Sequence, residues 1–511
     1  MIKTFLEKGY FFKELPPCFN CDLLSQKYML IYDENDYKNF ISSKGIKISY
    51  PKNIYSRRIL TVPNPLHYLK LIKIISENWQ EIATKIGSNK SICKLTFDKF
   101  NSRAINRENI SSIDIKIKSL EYSYDLLFEA KIDISKFYDS IYTHIIPWCL
   151  ESKEQVKNDL KNRIKRNSLG NNLDKAIRNL QDLQTIGIPT GPDSSEVISE
   201  IILTKIDEEI LLFDKNINYF RYKDDIFIFA SSKDEILQKI KSFRKILHKY
   251  ELSLNDSKTI IKEYPYRFQI NWINKVSQKN INFSSIEEII EYFDFLGEEY
   301  LKEKDENIYV LGIQNIRKSL SNNLLSLSMK EVLTNLLLKT TILIPRIIKE
   351  TVLILKYIGI INMKEKIESF FNKIIQENID LGQDFELIWA LWGVRELDLK
   401  INKDNIEKVF KYGDSFSSIL SIDLYLKDKI SFSKNNEISI IEKRVNHTDF
   451  WKEDWLLIYE CYFNNWISQS FIQVNSFMTK LFSNKINFFN SEDETNILEI
   501  PYEGIGECGA S

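Results

Sequence analysis

Two aspartates stand side by side in Phe220-Arg221-Tyr222-Lys223-Asp224-Asp225-Ile226-Phe227-Ile228-Phe229. The apolar and aromatic residues on either side predict two strands around a polar turn, which would fix both carboxylates at an exposed bend. Hard oxygen donors held in this way suit magnesium. Alone, a Tyr-x-Asp-Asp string arises readily in a chain rich in Tyr and Asp, and a turn aspartate is usually only a turn residue. A third carboxylate changes its meaning. Asp133 lies in Lys131-Ile132-Asp133-Ile134-Ser135-Lys136-Phe137-Tyr138-Asp139-Ser140-Ile141, where it ends an apolar strand and precedes an aromatic pair. In-line nucleotidyl transfer uses two metal ions about 3.5–4 Å apart, one lowering the pKa of a 3′-hydroxyl and the other neutralising the leaving pyrophosphate. Carboxylates from two neighbouring strands can bridge such a pair. The expected metal ligands are Asp133, Asp224 and Asp225, with Mg2+ as the ion and Mn2+ as its substitute. Asp139 falls in the predicted helix and is expected to cap it or face solvent.

Three further blocks could serve the same chemistry. Gly187-Ile188-Pro189-Thr190-Gly191-Pro192-Asp193-Ser194-Ser195 is a loop opening a helix, and Gly187, Pro189 and Gly191 would let backbone approach a sugar or phosphate closely. Lys258, in Leu252-Ser253-Leu254-Asn255-Asp256-Ser257-Lys258-Thr259, could protonate a leaving pyrophosphate. Arg57 and Arg58 precede the turn Val62-Pro63-Asn64-Pro65 and suit a bidentate grip on a triphosphate. His144, eleven residues past Asp133, reads as a hydrogen-bonding residue, since a metal-activated hydroxyl needs no imidazole base.

The elements that must hold these residues follow from periodicity. Residues 126–132 read as a strand, Ser195–Ile210 as a helix, and Tyr219–Phe220 and Ile226–Phe229 as strands, which makes an α+β core over residues 120–265. From residue 284 onward helical periodicity dominates, with Ile367, Phe370, Phe371, Ile374 and Ile375 on one face. Further helices are expected around Asn315–Leu327, Ile347–Tyr357, Phe385–Glu396 and Ile406–Tyr412, separated by breaks such as Leu381-Gly382-Gln383-Asp384. That pattern suits stacked helix pairs. Phe385, Trp389 and Trp392 read as helix-packing core rather than a base-stacking platform.

At 511 residues the chain is too long for one core. It holds no apolar run of about 18 residues, which predicts an unsecreted protein without a membrane span. Its six cysteines fit a reduced cytoplasm better than a disulfide framework. Cys18 and Cys21 form a lone CxxC, and with only four histidines in the chain they read as incidental thiols rather than a zinc site. The formal charge of −1 hides an asymmetry: residues 1–120 carry 20 Lys and Arg against 11 Asp and Glu, leaving 50 against 60 in the rest. The positive field gathers where a polyanion or triphosphate would be drawn in.

In order and spacing these five blocks resemble the reverse transcriptases over roughly residues 9–265. Finer strings narrow the resemblance to bacterial defence-associated enzymes, above all the abortive-infection polymerases of the AbiK type. They are Gly9-Tyr10-Phe11-Phe12-Lys13-Glu14-Leu15-Pro16-Pro17, Pro51-Lys52-Asn53-Ile54, and Phe137-Tyr138-Asp139-Ser140-Ile141-Tyr142-Thr143-His144-Ile145-Ile146-Pro147-Trp148. The resemblance implies an α+β palm and fingers over residues 1–283 and an all-α, HEAT-like helical-repeat domain over 284–511. It implies antiphage defence, consumption of dNTPs, and untemplated growth of single-stranded DNA on a tyrosine of the protein itself, within a homo-oligomer, a trimer or hexamer. Tyr138 stands where reverse transcriptases carry an aromatic that clashes with a ribose 2′-hydroxyl, so DNA is the expected product. Tyr10 is the nominal primer, ahead of Tyr28, Tyr32 and Tyr37, because chain ends are often mobile. One departure is Ile186, where many reverse transcriptases have glutamine, and this weakens the case for ordinary template handling. The rival readings are copying of an associated non-coding RNA and a catalytically silent palm that senses a partner.

Overall fold

A computed structural model of the chain describes residues 1–53, 55–97, 103–107, 110–164, 167–266, 271–320 and 325–492. Ile54, in the stretch leading to the paired arginines, lies outside the described residues. The chain opens with helix α1 (Ile2–Lys8), whose Phe5 and Leu6 are fully buried. Strands β1 (Ile46–Asn53) and β2 (Ser56–Val62) then form an antiparallel hairpin in which Tyr50 faces Arg58 and Pro51 faces Arg57. The arginines therefore sit on a strand. The turn after them feeds helix α2 (Pro65–Glu77), where Asn64 caps the Leu66 amide at 3.1 Å and Pro65 enters the first turn with no N–H to satisfy.

The two aspartate-bearing runs meet in one four-stranded antiparallel sheet. Strand β3 (Phe128–Ile132) lies inside it. After helix α3 (Asp193–Phe213) come the hairpin strands β4 (Tyr219–Tyr222) and β5 (Asp225–Ala230), helix α4 (Lys233–Lys249) and strand β6 (Ile260–Glu263), giving the order β4-β5-β3-β6. Alternation assigns the two faces of β5. Ile226, Ile228 and Ala230 join the main core, while Phe227 and Phe229 stack with Phe220 in a separate aromatic cluster. With both faces buried, the register is pinned: Ile132 pairs with Ile226 and Tyr222 with Asp225. Extending that register by one residue carries Asp133 to the end of the sheet where Asp225 begins.

Beyond residue 284 every regular element among the described residues is helical: α5 (Ile286–Glu303), α6 (Asn307–Leu320), α7 (Leu327–Leu343), α8 (Ile348–Ile358), α9 (Lys364–Leu381), α10 (Asp384–Glu396), α11 (Lys403–Tyr412), α12 (Ser415–Leu426), α13 (Ser439–Asn446), α14 (Trp455–Phe463) and α15 (Ser476–Ser483), with short 3-10 turns between. The helix expected over Asn315–Leu327 is two helices, because the Ser326 side chain caps the Met329 amide and starts α7 afresh. Gly382 ends α9 at φ +64, a conformation that favours glycine. Helices pack on their neighbours and on the next but one, as α8 does on α10, α9 on α11 and α10 on α12. Phe385, Trp389 and Trp392 are core. None of the described helices is long and apolar enough to cross a membrane.

The helical half is fastened to the N-terminal half through α10. Arg57 makes a bidentate pair with Glu386 at 2.8 and 2.6 Å and also donates to the Ser49 hydroxyl and carbonyl. Asp384 accepts from the Ser49 amide at 2.8 Å, Phe385 meets Tyr50 edge-on, and the Trp389 indole donates to Glu14 O. The segment around residues 480–490 closes on the N-terminal segment, where the Asn490 amide donates to Cys18 O and Lys480 pairs with Asp33 and Asp36. Glu386 is almost wholly buried, so removing its partner strands a carboxylate in the interior. Arg57→Ala is expected to destabilise the protein by about 3 kcal/mol, read as a lower midpoint in urea denaturation. An unchanged midpoint would contradict this role.

Candidate active site

Asp133 follows the last residue of β3 and is held by the segment that carries Lys258. The Asn255 amide donates to Asp133 O at 2.8 Å, the Asn255 side-chain amide approaches Asp133 Oδ2 at 3.4 Å, and Lys258 Nζ lies 3.6 Å from the same oxygen. Asp224 sits in the two-residue turn of the β4–β5 hairpin beside Lys223, whose φ of 54° is left-handed. Asp225 opens β5, with Lys131 Nζ at 3.2 Å. Burial raises the pKa of both turn aspartates, and the charge of Asp133 adds to it. Lys131 restrains the rise at Asp225, which still reaches about 6.

Among the described residues no three acidic, His or Cys side chains already converge as a metal cage. Asp133 and Asp225 are each turned toward a lysine. The donor set nevertheless fits a hard divalent ion: all carboxylate oxygen, drawn from adjoining strands, with burial, and the charge of Asp133 beside it, raising two pKa values. Asp133, Asp224 and Asp225 would hold it, and it would activate a hydroxyl and stabilise a leaving pyrophosphate.

A buried chain of charges lies behind the turn. Arg221 of β4 donates to Glu200 at 2.5 Å and to Asp207 at 2.7 Å, both on α3, and its Nη1 reaches Lys223 O at 3.4 Å. Arg107 bridges Glu200 at 2.9 Å and Glu196 at 2.8 Å. Burial opposes ionisation of Glu196, but Arg107 and Lys223 outweigh it and hold the carboxyl at about 2. These residues had escaped the sequence reading. The signal available was a set of acids at 196, 200 and 207, spaced to lie toward one side of a largely buried helix, with an arginine inside a core strand.

Tyr138 lies in a one-turn helix, Phe137–Ser140, and its hydroxyl donates to Glu196 at 2.8 Å. Its carbonyl accepts from the Ile188 amide and that of Ile141 from the Gly187 amide, so the glycine loop is laced to the tyrosine segment. Gly187, at φ +83, and Gly191, at φ +122, both need glycine's freedom, and a Cβ at 187 would press on Asp139 O at 3.3 Å. Pro189 O accepts from the Ser195 hydroxyl, which closes the loop onto α3. Thr190 O accepts from the Thr61 amide of β2. Asp139 is exposed.

The structure divides the two arginines. Arg58 is exposed and faces Lys52, a residue the sequence reading had not singled out, which lies against Lys258 and near Asp133. Burial and the Lys258 ammonium, with Arg58 adding, push Lys52 below the ordinary lysine value, and Asp133 only partly offsets them. Arg57 is a correction: Glu386 and Ser49 engage its guanidinium, leaving no free fork for a triphosphate. Tyr10 is another. It is fully buried, stacked on Tyr68 at 4.4 Å, and its hydroxyl donates to Pro63 O at 2.6 Å, because the N-terminal segment is packed core instead of a mobile end. His144 binds Asp174 at 2.9 Å. Cys18 and Cys21 are buried and not joined in a disulfide.

Residues 70–313 match the family model described as reverse transcriptase (RNA-dependent DNA polymerase). Those residues form a reverse transcriptase domain. The chain is accordingly a nucleotidyltransferase. No curated protein matches it. Solved structures similar to it include the apo telomerase of Candida tropicalis, with 13% identity, a TM-score of 0.34, and coverage of 80% of this chain and 70% of that one. Another is the telomerase of Candida albicans in complex with a fragment of telomeric RNA, with 12% identity, a TM-score of 0.27, and coverage of 77% and 67%.

Alanine at position 133, 224 or 225 of the reverse transcriptase domain removes like-charge repulsion along with a ligand. Each variant is expected to fold and to lose more than about a hundredfold in DNA extension with magnesium, several kcal/mol of charge stabilisation. Wild-type extension by Asp224→Ala would overturn the assignment. Arg58→Ala should raise the apparent KM for dNTP about tenfold, the loss of one charge-assisted contact. Lys258→Ala should lower kcat instead, and steady-state kinetics that leave both constants unchanged in both variants would exclude these roles.

Proposed function

We propose that this reverse transcriptase domain synthesises DNA in antiphage defence, starting from a hydroxyl of the protein itself and without a template. The observation that carries polymerase activity is the set of three carboxylates on adjoining strands, braced from behind and beside the cations Lys52, Arg58 and Lys258. In this reading Lys52, Arg58 and Lys258 receive the triphosphate, Lys258 protonates the leaving pyrophosphate, and Tyr138 excludes a ribose 2′-hydroxyl. The intact carboxylate set speaks against a silent palm kept only as a sensor.

The defence role rests on the five-block resemblance to the abortive-infection polymerases. So do the HEAT-like repeat over residues 284–511, which the next-but-one helix packing supports, and the trimer or hexamer. Untemplated synthesis is supported by Ile186, a half-exposed apolar side chain that can offer no hydrogen bond to a template strand. A priming hydroxyl must be reachable, and Tyr10 is sealed. Tyr55, at the tip of the β1–β2 hairpin that carries Arg58, is 95% exposed and the most accessible tyrosine among the described residues.

Purified protein incubated with magnesium and dNTPs alone should gain nuclease-sensitive DNA that survives denaturation, and peptide mapping should find the residual nucleotide on a tyrosine. Synthesis that requires added primer and template, with no nucleotide-bearing peptide, would move the protein to the RNA-copying reading.

A further inference from the structure

Deoxyribose and ribose differ by one hydroxyl, so an aromatic gate discriminates only as well as its ring resists being pushed aside. A tyrosine ring can swing about two side-chain torsions unless both of its ends are held. The backbone end of Tyr138 is held by the Ile188 amide at 3.0 Å. Its far end is held by Glu196 Oε1 at 2.8 Å, with Ser199 Oγ more distant at 3.4 Å. Glu196 cannot drift either, because its second oxygen is fixed by Arg107 Nε at 2.8 Å and Arg107 is fixed in turn by Glu200. Glu200 also binds Arg221, which reaches the carbonyl of Lys223 in the aspartate turn.

We propose that Glu196 is a positioning residue for sugar selection, bracing the Tyr138 ring against a ribonucleotide and tying the gate to the turn that carries Asp224. The inference rests on the reading of Tyr138 as the gate of a DNA polymerase. Glu196 acts through the tyrosine and need not touch the nucleotide. A carboxylate suits the task because a hydrogen bond to an ionised acceptor is stronger than one to a neutral group.

The test is the ratio of kcat/KM for dNTP to that for rNTP, measured on full-length variants with manganese or magnesium. E196A is expected to lower the ratio about tenfold. E196Q, which keeps an acceptor for the tyrosine but disturbs the contact with Arg107, should recover part of the discrimination. Y138F breaks the same bond from its other end and should lower the ratio comparably, and the Y138F/E196A pair should lose no more than the larger single effect. A wild-type ratio in E196A, even with slower synthesis, or full multiplication of the two effects, would overturn the proposal. Should E196A fail to fold, a wild-type ratio in both Y138F and E196Q overturns it equally. Y138A separates the two levels: if it admits ribonucleotides while the Glu196 variants do not, only the bracing role falls, and if it leaves the ratio unchanged the gate reading falls as well.

Discussion

The partial burial of like charges at one end of a sheet is the constraint on which this architecture depends. Asp133, Asp224 and Asp225 occupy one end of a sheet, partly shielded from water, where burial makes ionisation of the two turn aspartates harder and the charge of Asp133 adds to it. A flexible turn would relieve the strain by moving apart. Here it cannot, because β5 is buried on both faces and the turn is hooked from behind by Arg221. That arginine is affordable in the interior only because Glu200 and Asp207 neutralise it, and Arg107 balances the surplus acid. The buried salt bridges therefore serve position more than stability, holding charges where a divalent cation would relieve them.

The same logic extends outward to the β1–β2 hairpin. Its two arginines point to different tasks although they are adjacent in sequence, since successive residues of a strand face opposite sides. Arg58 joins Lys52 and Lys258 on the side of the carboxylates, whereas Arg57 is clamped by Glu386 of the helical half. The helical half thus fixes the base of the strand whose other face presents cations to the site. The contacts of Lys480 with Asp33 and Asp36 and of Asn490 with Cys18 further tie it to the N-terminal segment.

Much of this was legible in the sequence. Periodicity located β3, β5 and the helices α8, α9, α10 and α11, and the setting of Asp133 marked it as a partner of the Asp-Asp turn. Periodicity could not divide Arg57 from Arg58, because that depends on a buried glutamate more than three hundred residues away. Tyr10 misled because proximity to a chain end says nothing about packing, and a tyrosine among Phe11, Phe12 and Leu15 is more often core. The ion network was hidden for a related reason. Glu196, Glu200 and Asp207 read individually as the polar face of a helix, and only the arrival of Arg107 and Arg221 from elsewhere turns that face inward.

The central claim is that these three aspartates form one metal site facing a triphosphate-binding cluster. It is tested most directly by anomalous scattering at the manganese edge from crystals grown with Mn2+ and a dNTP. The account predicts manganese held among the carboxylates of Asp133, Asp224 and Asp225, with the triphosphate reaching Lys52 and Arg58. Nucleotide bound with manganese at other residues, or with none at these three, would contradict it.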